Sequence, residues 1–167
     1  MKKYLITAVA SFILIPSIVN AQWLTKTDDD LFSGGKKAML IGSLNNSSSG
    51  IIFDCTSTTL SAAYVEMNKT TDMSGESVPV DLIFKVDSNA AVKMDAKMMR
   101  RNDTTVQAFS ENAELAKSVL KSLRDGKKKV MVGIQTTDGG NQSSLSGNVS
   151  NSTNAVNKFI SACEIKL

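Results

Sequence analysis

The chain has 167 residues, with 19 Lys and Arg against 16 Asp and Glu, two cysteines and no histidine. The missing histidine excludes Ser-His-Asp and Cys-His catalysis and histidine metal ligation, so an enzyme would have to work through carboxylate, lysine or tyrosine chemistry. Of the formal charge of +3, two units belong to Lys2 and Lys3, and the nearly neutral remainder has no nucleic-acid footprint.

In chain order, residues 1–21 read as a cleaved signal peptide. Lys2 and Lys3 form a basic start, an apolar core runs from Leu5 to Ile15, Pro16 breaks it, and Val19-Asn20-Ala21 supplies a small-residue cleavage pattern. The apolar run is short for a membrane span of roughly 20 residues. Its short, lysine-led form looks bacterial, so the expected location is periplasmic or secreted. Residues 22–167 then make a single β-rich domain, large enough to bury roughly 70% of its unfolded surface, and hold no second stretch able to span a bilayer.

Trp23, the only tryptophan, falls in an expected first strand over 22–27, where packing is the leading role and an exposed binding aromatic the alternative. Asp28, Asp29 and Asp30 read as a solvated turn, because Leu31 and Phe32 interrupt the alternating oxygen ligands of a calcium loop. Gly34-Gly35-Lys36-Lys37 lacks the spacing of a phosphate-binding loop. Strands over 37–44 and 50–55 flank the turn-forming Asn45-Asn46-Ser47-Ser48-Ser49-Gly50, and in the second of them Ile51, Phe53 and Cys55 share one face.

Residues 60–67 make a further strand and 70–77 a loop. In 78–86, Val78, Val80, Leu82, Phe84 and Val86 alternate with Pro79, Asp81, Ile83 and Lys85, the pattern of a half-buried strand. Val92, Met94, Ala96 and Met98 repeat it, and 104–109 pairs back as a hairpin partner. Met94, Met98 and Met99 fill core or, alternatively, form an adaptable binding surface.

At Ser110, a good N-cap, the period changes. Ala116, Val119, Leu120 and Leu123 follow i, i+3, i+4, i+7, predicting an amphipathic helix over 111–124 with Gly126 as its stop. Lys127, Lys128 and Lys129 read as a solvated lead into a strand over 130–136, with contact to an anionic surface as the minority reading. Asp138-Gly139-Gly140-Asn141 is a hairpin turn before a strand over 145–149. In a short C-terminal helix over 153–163, Val156, Phe159, Ile160 and Cys163 share a face. Cys55 and Cys163 both point inward, and in an exported chain they pair; two free thiols are the alternative. The fold class is mainly β, an antiparallel sandwich-like domain of eight or nine strands with these two helices. Cys55 and Cys163 are the only site residues named; no catalytic or metal residue and no cofactor is.

Several of these stretches together resemble a group of small exported bacterial proteins. They are the tryptophan after the signal, Cys55 ending an early strand, Val80-Asp81-Leu82-Ile83-Phe84-Lys85-Val86-Asp87, the helix–strand unit over 116–135, and the closing Leu145-Ser146-Gly147, Ala155, Phe159-Ile160 and Cys163. The layout is similar to the invasion-associated locus B proteins and the type VI secretion accessory proteins, although the locus B proteins usually carry more cysteines. The resemblance implies a periplasmic or surface accessory role in envelope or host interaction, without known catalysis.

The leading expectation is an exported, non-enzymatic interaction module of the bacterial envelope or surface, secretion- or virulence-associated. It would act through a protein partner in the envelope, the secretion apparatus or a host, with no nucleic acid bound. Loops 45–50, 70–77 and 138–141 are the candidate surfaces, since loops commonly carry function. An inhibitor or immunity protein for a secreted enzyme is the alternative. A carboxylate-based envelope hydrolase stands third; it needs two carboxyls about 5–10 Å apart, and no spacing selects a pair among Glu66, Asp81, Asp95 and Glu114.

Overall fold

The computed structural model describes residues 22–32, 34–69 and 75–167; the expected signal segment and residues 70–74 of the 70–77 loop lie outside these. In chain order the elements are β1 (Trp23–Asp29), β2 (Lys36–Ser43), β3 (Ser49–Cys55), β4 (Leu60–Met67), β5 (Val78–Val86), β6 (Val92–Asn102), β7 (Thr105–Ser110), α1 (Ala113–Asp125), β8 (Lys129–Thr136), β9 (Gln142–Asn148) and α2 (Ser152–Ala162).

The nine strands form one antiparallel sheet in the order β1-β2-β3-β4-β7-β6-β5-β8-β9. The expected two-sheet sandwich is therefore replaced by a single curled sheet, a half-barrel, with α1 and α2 on one face where a second sheet would stand. Alternation in a strand states which side is buried, and either a sheet or a helix can do the burying.

On this helix face Leu40 lies opposite Phe53, Phe53 opposite Ala62, and Leu82 opposite Met94. The helices answer with Ala116, Val119, Leu120 and Leu123 from α1 and Ala155, Val156 and Phe159 from α2, all buried. Phe53 and Phe84 pack with ring centroids 6.0 Å apart.

At one end the curl draws the two sheet edges together. The Trp23 indole donates from Nε1 to the Asn148 carbonyl at 2.8 Å, and the Asn45 amide donates to the Ser146 carbonyl at 2.7 Å. Two glycines make this seam. A Cβ at Gly42 would sit 2.5 Å from Trp23 Cη2, and one at Gly147 would sit 2.6 Å from the Ser43 carbonyl oxygen. Trp23 is fully buried, so it packs rather than presenting an exposed aromatic.

Several local expectations shift. Asp28 and Asp29 belong to β1, where they lie opposite Lys37 and Lys36, and Lys36 pairs with Asp29 at 2.9 Å. Cross-strand attraction extends the strand past the point where a run of aspartates suggests a turn. α1 begins at Ala113, two residues later than expected: Ser110 completes β7, and Asn112 is the cap, its Oδ1 accepting from the Leu115 amide at 3.1 Å. Gly126 has φ −66°, so it is not a left-handed stop. It is glycine for space, since a Cβ there would meet Val86 Cγ1 at 2.9 Å. The hydroxyls of Ser152 and Thr153 donate to the carbonyls of Leu123 and Arg124, satisfying the orphan acceptors at the end of α1.

Candidate functional site

The structure brings Cys55 and Cys163 together as a disulfide with a Cα–Cα separation of 6.2 Å. Cys55 ends β3 and Cys163 follows α2, so the bond ties the C-terminal helix to the sheet beside the turn between β3 and β4. It stands beside a concave surface that Cys55 itself helps to line.

That surface is on the other, open face of the sheet. Leu24 lies opposite Ile41, Ile41 opposite Ile52, Ile52 opposite Ala63, and Ala63 opposite Phe109, making one apolar row across β1, β2, β3, β4 and β7. No helix covers it. Next to this row a groove of about 680 Å³ opens over Met39, Leu60 and Phe109. Its rim carries Lys26 and Lys37 on one side and the Thr56, Thr58 and Thr59 hydroxyls on another. The volume falls within the range of ligand-sized clefts, and an apolar floor with a few polar rim groups is the usual make-up of a binding surface.

Arg101 crosses the same face. It sits at the β-bulge of β6, and its Nη2 donates to Asp54 Oδ2 on β3 at 2.9 Å while Nη1 donates to Gln107 Oε1 on β7 at 2.9 Å. β6 and β3 are three strand spacings apart, about 14 Å on a flat sheet. The coil of the sheet closes that diagonal, and the guanidinium becomes a strap over the open face. Asp54 lines the 680 Å³ groove, and Arg101 lines a smaller cavity of about 290 Å³ at the opposite ends of the strands. The ion pair thus stands as a partition between the two.

The four candidate carboxylates do not make a catalytic pair in this groove. Asp81 and Asp95 lie directly opposite each other on β5 and β6, but Lys93 at 2.7 Å and Gln135 at 2.7 Å engage Asp81 and hold its carboxyl below the ordinary aspartate range. Glu114 pairs with Lys117 at the start of α1. Glu66 accepts from the Tyr64 hydroxyl at 2.9 Å, and burial, with that carboxylate beside it, pushes the Tyr64 phenol up to about 12. Tyr64 therefore keeps its proton and serves as a buried donor.

The lysine run at 127–129 is engaged through its backbone. The Asp87 carboxylate accepts from the amides of Lys127, Lys128 and Lys129 at 2.7, 3.0 and 2.9 Å. These bonds hold the Asp87 carboxyl below its ordinary value, so the chain's own anion fills this nest of amides. Met94 is core, Met98 packs against the core, and Met99 is half-buried on the open face. Among the described residues no group of three or more Cys, Asp or Glu side chains is placed to hold a metal ion, and no helix is long and apolar enough to cross a membrane.

The apolar row escaped the sequence reading, although a signal for it exists. Ile51-Ile52-Phe53 and Leu60-Ser61-Ala62-Ala63-Tyr64-Val65 are largely apolar in both parities, so each strand carries apolar side chains on both of its faces.

No family model, no curated protein and no solved structure matches the chain. Fold and surface together define a mainly β domain, closed by one disulfide, that offers a grooved sheet face.

Proposed function

We propose that the chain is an exported, non-enzymatic interaction module of the bacterial envelope or surface, and that its protein partner is seated on the open face of the sheet. The observation that carries this reading is the 680 Å³ groove together with the apolar row beside it, from the half-exposed Leu24 through Ile41 and Ile52 to the half-buried Phe109. A β domain that covers one sheet face with two helices and carries an apolar strip and a groove on the other has surface for a partner. Export is supported by the signal-like residues 1–21 and by the disulfide, a bond that persists in oxidising compartments. A rim with charges of both signs, Lys26 and Lys37 against Asp28 and Glu111, suits a protein surface better than a polyanion.

The test is crosslinking capture from envelope and secreted fractions with the exported chain and its Met39→Glu variant, with Lys166→Glu as an exposed control. One dominant, saturable protein captured by the chain and the control but lost from Met39→Glu is the expected result. Capture that survives Met39→Glu overturns the assignment of the face, and the absence of any saturable protein overturns the reading itself.

A further inference from the structure

α1 begins at the groove, which Ala113 helps to line. Its 13 residues end about 20 Å away, at a corner of the molecule rich in lysine. There the Asp87 carboxylate gathers the amides of Lys127, Lys128 and Lys129. Amides that converge on one anion line the concave side of a turn, so the three side chains leave from its convex side, and all three are exposed. A run of three falls short of the basic cluster, roughly four to eight residues, that an anionic membrane surface attracts. The fold supplies the remainder. Lys85 stands opposite Met131, which makes it the diagonal neighbour of Lys129 on the open face, about 7–8 Å away. Lys121 lies one turn before Asp125 on α1. Arg124 bonds the Asp125 carboxylate, and the charges of Arg124, Lys121 and Lys127 hold it below its ordinary range. Lys85 and Lys121 are exposed as well, and none of the five lysines forms a salt bridge among the described residues.

We propose that this corner docks the chain on an anionic phospholipid bilayer, with Lys85, Lys121, Lys127, Lys128 and Lys129 against the headgroup phosphates. The two carboxylates at the corner are both engaged, Asp87 by the three amides and Asp125 by Arg124. The chain beyond Lys2 and Lys3 is nearly neutral, so positive charge is concentrated here. At physiological ionic strength a charge is felt over about 8 Å, and an approaching surface meets the corner rather than the average of the chain. A cleft of about 440 Å³ opens beside Lys85 over the half-buried Ile83 and Met131. Apolar side chains next to a basic cluster suit the boundary between headgroups and acyl chains, whereas a soluble polyanion has no use for them. Groove and corner lie at opposite ends of α1, so docking leaves the groove open, and the inference does not depend on what occupies it.

The experiment is co-sedimentation of the exported chain with vesicles of equal parts phosphatidylglycerol and phosphatidylcholine, and with vesicles of phosphatidylcholine alone, at low and high salt. Binding to the anionic vesicles that weakens with salt and is absent from phosphatidylcholine is the expected result. A lysine near such a surface is worth about fivefold in affinity, so Lys127→Gln with Lys129→Gln should weaken binding about 30-fold. Asp87 is bound by backbone amides, so these substitutions leave its bonds in place, and thermal midpoints check that the variant is folded. Lys158→Gln with Lys166→Gln removes the same charge at exposed positions on and after α2 and should bind as the chain does. Equal weakening by the two pairs overturns the assignment to this corner. Binding that shows no preference for the anionic vesicles overturns the proposal, as does retention on immobilised polyphosphate without any vesicle binding, which would give the corner to a soluble polyanion.

Discussion

One of the contacts at the seam between the two sheet edges, Gly42 against the Trp23 ring, should be broken by a single methyl group. In Gly42→Ala the new Cβ would lie 2.5, 2.6 and 2.7 Å from three atoms of the Trp23 ring, closer than carbon atoms pack. Backbone cannot yield easily at this point, because β2 is paired on both sides, so the indole must move. Forcing a methyl into a filled site costs about 1–3 kcal/mol. Moving the ring also withdraws the 2.8 Å hydrogen bond from Nε1 to the Asn148 carbonyl, worth a further 1–3 kcal/mol or so when a buried group loses its partner. Together the expected loss is roughly 2–6 kcal/mol, a large part of the stability of a domain this size. Because Trp23 is the only tryptophan, its fluorescence in urea reports both the unfolding midpoint and the ring's own surroundings. Gly42→Ala should lower the midpoint and shift native emission to longer wavelength. A variant with unchanged emission and a loss under about 0.5 kcal/mol would refute the packing argument.

Two further perturbations test other parts of the frame. The Cys55–Cys163 bond closes a loop over a separation of 108 residues, for which the chain-entropy argument gives about 4.8 kcal/mol. Denaturant titration of the double Cys→Ser variant should show a loss of that order, and a loss below about 1 kcal/mol would mean that packing alone keeps α2 docked. For Asp87 the folded pKa lies below the ordinary 3.8, held there by the Lys127, Lys129 and Lys128 amides. Its contribution is therefore fully present above the unfolded value and is lost as pH falls through the depressed folded one. Asp87→Asn suits the test, because the left-handed φ of 51° is tolerated by asparagine. Thermal midpoints of chain and variant should differ at neutral pH and converge toward pH 3; parallel curves across that range would contradict the linkage.

Much of the frame was legible from residue order. The alternation over Val78–Val86 and the helical spacing of Val119, Leu120 and Leu123 are local signals, and the strand and helix appear where that spacing puts them. Boundaries were less legible where a distant partner sets them. β1 runs on through Asp28 and Asp29 because Lys37 and Lys36 stand opposite, and Ser152 and Thr153 spend their hydroxyls on α1. The strap from Arg101 to Asp54 spans 47 positions and depends on the coil of the whole sheet, so no local pattern announces it.

Residue order by itself determined an antiparallel β domain with two amphipathic helices, and placed both cysteines on inward faces. Those follow from periods of two and 3.6, which each strand or helix carries alone. Only the tertiary structure decided that one curled sheet replaces two, that β4 meets β7 and β5 meets β8, and that an apolar row lines up across five strands on the face away from the helices. The reason is physical: a side chain's period states that it must leave water, while the surface that receives it is set by how the entire sheet bends.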